Sequence, residues 1–288
     1  MQKPDKKLTF NFFDYKWSKA SEWTRATETI YCDWYLRRYG YQNLEGLSDF
    51  LKDKKIILEA GCGQARDSKL FAICNLQAII IAMDQSPNAV RVAKENLKPY
   101  PNCHVVRADI TNFAFTEPFD FISCDQVLHH TSDPHLTLQH FYNNLKVGGV
   151  LNFSLCCKKN QLRDRLDDLI MERATKLSPD ELWEFAEVVT YLGMALNKLG
   201  IENVEWEGTH YSDIQRFVHN HIFRCWYDPN INFDLSVSSN FDWFSGNPRF
   251  DIHEVGEMMN RGLGPHQILR FNKDDAVFSV SVRKISAS

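Results

Sequence analysis

A glycine turn with an acid before it, three aspartates and a histidine pair stand at intervals that binding chemistry could use. They are Glu59, Gly61-Cys62-Gly63, Asp84, Asp109 and the run Asp125-Gln126-Val127-Leu128-His129-His130. Glycines let the backbone turn sharply and let a ligand come close. A helix start beyond them offers unpaired backbone N–H groups. Asp84 lies about twenty residues past the turn, where an acid can accept both hydroxyls of a ribose. Asp109 follows the next apolar run, where a carboxylate could meet an exocyclic adenine amine. Asp125 to His130 open onto the same crevice. The set describes a pocket for an adenine nucleoside at the carboxyl edge of a parallel sheet.

The choice of nucleoside turns on Arg66 and Glu59. A pyrophosphate fingerprint wants a third glycine near position 66, and Arg66 stands there. Glu59 puts a carboxylate just before the turn, unwelcome to a pyrophosphate and welcome to a cation. S-adenosylmethionine carries a sulfonium and an ammonium, so the electrostatics favour it over NAD. Plainer roles compete at each position. Asp84 could cap the following helix and Asp109 could cap a turn. His130, or His129 beside it, could serve as a general base for an acceptor that must lose a proton. Alternatively, the two rings shape their loop and hydrogen-bond backbone.

These residues need a scaffold of alternating strands and helices. Strands are expected at Ile56–Glu59, Ala78–Met83, His104–Arg107, Phe119–Cys124 and Val150–Leu155, with Lys146-Val147-Gly148-Gly149 as a turn before the last. Helices are expected at Ala65–Cys74, at Pro87–Asn96 behind an N-capping Ser86, and from Pro134 to about Leu145. Alternation of this kind implies βαβ units, a parallel sheet and right-handed crossovers. After Leu155 the rhythm breaks. Gln161–Thr175 and a long helix from the Ser178-Pro179-Asp180-Glu181 capping box to Leu199 are expected, closed by Gly200. Residues 201–249 show no clear period. A helix at Ile252–Arg261 and strands at Gln267–Phe271 and Ala276–Val282, joined by a hairpin, complete the sheet. At the N-terminus, residues 1–10 are expected to fray at first. The segment rich in Phe10, Phe12, Phe13, Tyr15, Trp17 and Trp23 leads into a helix from about Ser21 to Tyr39, with Ile30, Trp34 and Tyr31 on one face and Gly40 as its stop. It either packs outside the core or closes over the pocket as a lid.

Composition sets outer limits. The chain has 288 residues, 44% of them apolar, enough for a large core. A net charge of −4 gives no domain-wide basic field for DNA. The eight cysteines form no CxxC and no zinc framework, so no metal is expected, and a reducing, cytoplasmic setting follows. The N-terminus lacks a signal-peptide pattern, and Ala78–Met83 is far too short to span a membrane. His219 and His221 alternate and could share a strand face, but no acidic third ligand accompanies them.

The segments ILEAGCGQARDS, IAMDQSPNAVRVAKENL, VVRADI, FDFISCDQVLHHTSDP and LKVGGVLNFSL, in this order and spacing, resemble the successive motifs of class I S-adenosylmethionine-dependent methyltransferases. Quinone-biosynthesis C-methyltransferases and bacterial small-molecule methyltransferases are the most similar group. The resemblance covers residues 54–155, and Ala65 departs from it where relatives often have glycine. It implies a Rossmann-like, doubly wound, mostly parallel seven-stranded sheet with an antiparallel C-terminal strand and a cap insertion. It also implies that Glu59, Gly61, Cys62 and Gly63 hold the methionine portion and Asp84, with Gln85, the ribose. Asp109 and Ile110 would frame the adenine, and Asp125 would lie near the methionyl amine. The chain divides accordingly into an N-terminal segment or lid (1–53), the cofactor-binding core (54–155), a substrate cap (156–249) and a C-terminal completion of the sheet (250–288). Phe241-Asp242-Trp243-Phe244 and the N-terminal aromatics resemble a bacterial subgroup. The implied activity is methyl transfer to a small-molecule acceptor, and the two histidines favour oxygen or carbon over nitrogen. A protein or RNA methyltransferase and a non-catalytic partner of the same fold are the alternatives. Lys158, Lys159, Arg163 and Arg165 make only a short basic cluster for the former.

Overall fold

The computed structural model describes residues 6–19 and 28–286. Helix α1 spans Lys6–Ser18, beginning inside the 1–10 stretch expected to fray, and buries Phe12 against Phe241. Trp23 and the Ser21 start of the expected second helix lie outside the described residues, as does the Ile30 side chain. Helix α2 (Glu28–Tyr39) buries Tyr35, Leu36 and Tyr39, while Tyr31 and Trp34 turn toward a cavity. Gly40 ends it at φ +81°. Helix α3 spans Leu44–Leu51.

The alternating section follows: β1 (Ile56–Ala60), α4 (Arg66–Cys74), β2 (Ile79–Asp84), α5 (Pro87–Leu97), β3 (Cys103–Arg107), β4 (Phe119–Cys124), α6 (Pro134–Asn143) and β5 (Leu145–Cys156). Ser86 caps α5 and Asp133 caps α6, each followed by proline at the first turn. The expected turn at Lys146–Gly149 lies inside β5. Leu145 pairs with Phe119, the register then shifts, and Val150 pairs with Phe121. The cap region holds α7 (Gln161–Ala174), α8 (Pro179–Lys198), the β6–β7 hairpin (Glu202–Trp206, Thr209–Asp213), α9 (Ile214–His221) and α10 (Phe233–Phe244). Ser178 and Glu181 complete the capping box of α8. His219 and His221 therefore sit on a helix, not on a strand. Residues two apart on a helix do not face each other: His219 is buried, and His221 bonds Tyr211 at 2.5 Å. Helix α11 (Ile252–Gly262) and strands β8 (His266–Lys273) and β9 (Val277–Lys284) close the chain.

The seven main strands form one sheet in the order β3-β2-β1-β4-β5-β9-β8. All pairs are parallel up to β5, and β9 runs antiparallel to both its neighbours. The expected mostly parallel sheet with an antiparallel C-terminal strand is thus present. Side chains alternate between its faces. Ile57, Ile80, Phe121 and Val150 pack with Tyr35, Leu47 and Phe71 on one side. Leu58, Ile81, Ile122 and Leu151 pack with Phe141, Val255 and Met259 on the other. Strand order reverses between β1 and β4, and it is at such a switch point that the loops splay to leave a crevice.

Candidate functional site

At the carboxyl end of β1 the turn is tight. The N–H groups of Gly61 and Cys62 both donate to the Met83 carbonyl at 2.8 Å. Gly61 has φ +76° and Gly63 φ +53°. A Cβ on Gly61 would stand 2.3 Å from Val127, and one on Gly63 2.5 Å from the Trp17 ring. Ala65, where a glycine is common in similar proteins, adopts φ +61°. Its methyl therefore sits in the left-handed region at a cost of about 1–2 kcal/mol, more than the slight tightening expected, and its burial offsets part of this.

Asp84 joins the turn to β2. One carboxylate oxygen accepts from Gly63 N–H and the other from Ser86 N–H, each at 2.9 Å. Burial pushes its carboxyl up, and these N–H groups counter that. Glu59 is buried and accepts from the Ser68 N–H at 2.8 Å and from the Ser68 hydroxyl. Burial first, then the charge of Asp67, push it up to about 8. The negative charge expected before the turn is thus weakened.

Asp125 stands in a web of its own. Its carboxylate accepts from Arg38 at 3.1 Å, Tyr39 at 2.9 Å and Ser154 at 3.0 Å, with Arg66 at 3.5 Å. Burial would raise its carboxyl, but the Arg38 and Arg66 guanidiniums hold it below the usual range. Neighbouring Gln126 takes φ +57°, backbone strain of the kind concentrated at functional sites. Asp109 forms an Asx turn, accepting from the Thr111 N–H at 2.9 Å and hydroxyl at 2.8 Å, with Ile110 buried beside it. Gln85 is exposed, and its carbonyl accepts from Arg107.

His129 and His130 belong to a one-turn helix, Leu128–His130. His129 is buried, its Nε2 lies 3.3 Å from Cys156 Sγ, and its Nδ1 has no partner. Burial pushes its ring down to about 4. His130 is held well below its ordinary value by burial, then by the charges of His129 and Lys16. Both rings stay neutral near pH 7. The Phe13 ring packs 4.4 Å from that of His130.

Helix α1 crosses this edge. Asp14 accepts from the Ser86 hydroxyl at 2.6 Å and from the Asn88 N–H at 3.2 Å, placing an anion at the start of α5. Lys16 pairs with Asp242 of α10, and Tyr15 donates to Asp180 of α8. Beneath the helix lies a cavity of about 800 Å³. Its walls run from Gly63, Asp84 and Asp109 past His129 and His130 to Arg224 and Trp243.

Residues 51–213 match the model of the methyltransferase-domain family. The chain belongs to the class I S-adenosylmethionine-dependent methyltransferases. Its curated relatives include a ubiquinone biosynthesis O-methyltransferase of Glaesserella parasuis, 32% identical over 108 residues, covering 35% of this chain and 44% of that protein. A malonyl-(acyl-carrier protein) O-methyltransferase of Halalkalibacterium halodurans is 28% identical, covering 37% and 41%. The chain thus spans less than half the length of these relatives. A solved structure of a possible exported protein from Bordetella parapertussis, 15% identical, superposes with a TM-score of 0.51 over 87% of this chain and 68% of that one, and so shares the fold.

The cofactor of this methyltransferase is S-adenosyl-L-methionine. The residues singled out from the sequence line one cavity: Glu59, Gly61, Cys62, Gly63, Asp84, Gln85, Asp109, Ile110, Asp125, His129 and His130. The structure adds Lys16, Trp17, Arg38, Arg66 and Arg224 to its walls. Trp17 stands in the aromatic N-terminal segment, Arg66 just after the glycine turn and Arg224 near the cap histidines, whereas no local pattern points to Lys16 or Arg38.

Proposed function

We propose that this chain transfers a methyl group from S-adenosylmethionine to a small-molecule acceptor, with oxygen or carbon methylation favoured. The observation that carries it is the continuous cavity from the Gly61–Gly63 turn to the aromatic wall of the cap region. Its donor set fits the cofactor. Each oxygen of Asp84 accepts one backbone N–H and keeps a lone pair, an arrangement suited to the two hydroxyls of a ribose. Gly61 and Gly63 carry no side chain at the turn, and Val127 and Trp17 close over them. In this proposal Glu59, Cys62 and the glycines hold the methionine portion, Asp84 and Gln85 the ribose, and Asp109 and Ile110 the adenine. Asp125 acts by holding Arg38 and Arg66 in place at the methionine end. The cofactor supplies an electrophilic sulfonium methyl when bound.

The chain's own work is alignment and exclusion of water. Helix α1 is the lid: Trp17 covers Gly63, Phe13 covers His130, and Lys16 ties it to the cap. His130, neutral at physiological pH, can take a proton from an acceptor whose proton is already loose. Residues 156–249 form the cap that selects the acceptor, over the core of residues 54–155 completed by 250–288. The two relatives named above are both O-methyltransferases, which supports the oxygen preference.

A labelled-methyl screen over small acids, phenols and activated carbon acids tests this. Incorporation into a low-molecular-weight product supports it. Label entering only protein or RNA overturns the small-molecule assignment. Absence of any binding of S-adenosylhomocysteine by calorimetry overturns the site.

A further inference from the structure

The cations around the cavity are not neutralised alike. At the glycine-turn end Arg38 meets Asp125 and Arg66 meets Asp67 at 2.6 Å, while Arg37, exposed to solvent, donates only to the Asp33 carbonyl. At the cap end two cations meet no carboxylate. Arg224 is only 7% exposed and lines the cavity. Its guanidinium donates to Asn240 Oδ1 at 3.0 Å, Ser239 Oγ at 2.7 Å and the Ser239 carbonyl at 3.0 Å, and stacks 4.7 Å from the Trp243 ring. These partners are neutral; they orient the fork without cancelling its charge. Lys159 also lines the cavity and donates to Asn220 Oδ1 at 3.1 Å. Among the described residues neither forms an ion pair.

Asp167 and Asp242 are engaged elsewhere, although Asp242 Oδ1 has no hydrogen-bond partner, and Asp275 on the cavity wall acts on Lys159 only through its field. Asp167 holds Arg163 and Trp243 Nε1, each at 3.0 Å, and Asp242 holds Lys16. Arg216, a third cation on this wall, is paired with Asp228 at 3.3 Å. His219, buried with Nδ1 unpartnered, lies within the fields of Arg224, Arg163, Lys159 and Arg216, which with its burial hold the ring far below its ordinary value. Burial, and then the charge of Arg163, push Arg224 itself down to about 9. Burying a charge without a counter-charge is costly. An arrangement that holds two such cations at the wall of a cavity is built for an anion to complete.

We propose that the acceptor carries an anionic group, a carboxylate or a phosphate, seated between Arg224 and Lys159 at the cap end of the cavity. This rests on the methyl-transfer assignment above and names the substrate class it would serve. The anion anchors the acceptor across the cavity from the glycine turn. His219 Nδ1 is placed to share in its hydrogen bonding.

The test is calorimetry on the whole chain, with and without S-adenosylhomocysteine, using inorganic phosphate, acetate, succinate and neutral succinamide as probes. The anions should bind and succinamide should not. Arg224→Gln and Lys159→Gln should each weaken anion binding roughly tenfold to a hundredfold, as loss of a charged hydrogen bond does, with S-adenosylhomocysteine affinity unchanged. Preference for phosphate or for succinate assigns the anion's class. Equal binding of succinamide, no loss in either variant, or a parallel loss of S-adenosylhomocysteine affinity would overturn the proposal. If S-adenosylhomocysteine itself does not bind, the methyl-transfer assignment fails, and the probes on the unliganded chain still report on the cation pair.

Discussion

Single groups at the site are tuned by burial, and their titrations give separate tests. Asp84→Ala removes the acceptor that holds Gly63 and Ser86 N–H and is proposed to hold a ribose. Two charged hydrogen bonds at about 1.5–3 kcal/mol each predict at least a hundredfold loss of S-adenosylhomocysteine affinity; near-native binding in calorimetry would refute the assignment. His129 takes up a proton near pH 6.5 when unfolded but resists it to about pH 4 when folded. Its contribution is intact above pH 6.5 and is lost as the pH falls through that window, by roughly 3 kcal/mol. His129→Gln should therefore flatten the acid limb of Tm against pH. Glu59 has the opposite sign. The unfolded chain releases this proton near pH 4.5 while the folded chain holds it to about pH 8. Stability is thus lost as the pH rises through that window. Glu59→Gln should gain stability relative to the parent between pH 5 and 8 while losing cofactor affinity. A parallel shift at all pH values would contradict the burial argument.

Helix α1 ties several separate parts of the fold together. It touches the start of α5 through Asp14, the glycine turn through Trp17, α8 through Tyr15 and α10 through Lys16 and Phe12. Asp14→Ala removes a carboxylate from the N-terminus of α5, where a negative charge is worth about 0.3–1 kcal/mol beyond its hydrogen bonds. The expected outcome is faster hydrogen exchange in α1 and faster release of bound S-adenosylhomocysteine, with the sheet's exchange unchanged. Equal release rates would show that α1 is packing and not a lid. The sequence left these two roles open because aromatic residues serve both.

Over the whole molecule, the sheet, α1 and the cap region all border one cavity, so a ligand there should stabilise them together. At a hundred times its Kd, S-adenosylhomocysteine should add about 2.7 kcal/mol. For a chain of this size, that is a rise in Tm of at least a few degrees. Circular dichroism and tryptophan fluorescence should report the same shift. A shift seen by one probe alone would mean that the cap melts independently of the core.

The strands β1 to β5, the glycine turn, the caps at Ser86, Asp133 and Ser178 and the terminal hairpin were all legible in the sequence. Each is set by residues a few positions apart: apolar runs for buried strands, side-chain oxygens for orphan N–H groups, glycine for positive φ. The candidate residues at strand ends were legible for the same reason. Helices α9 and α10 were not. Helix α10 buries Leu235, Ser236, Val237, Ser238, Asn240, Phe241, Trp243 and Phe244, which leaves no single apolar stripe to read. His219 and His221 read as a strand face because alternation over three residues does not fix a period. Tertiary structure alone decided the charge state of the site. Glu59 stands beside Asp67, Asp125 is claimed by Arg38 and Arg66, and Arg224 is left without a carboxylate. Those outcomes depend on how side chains meet in space, some of them, such as Arg38 and Asp125, 87 residues apart, and on exclusion of water, and no local pattern encodes either.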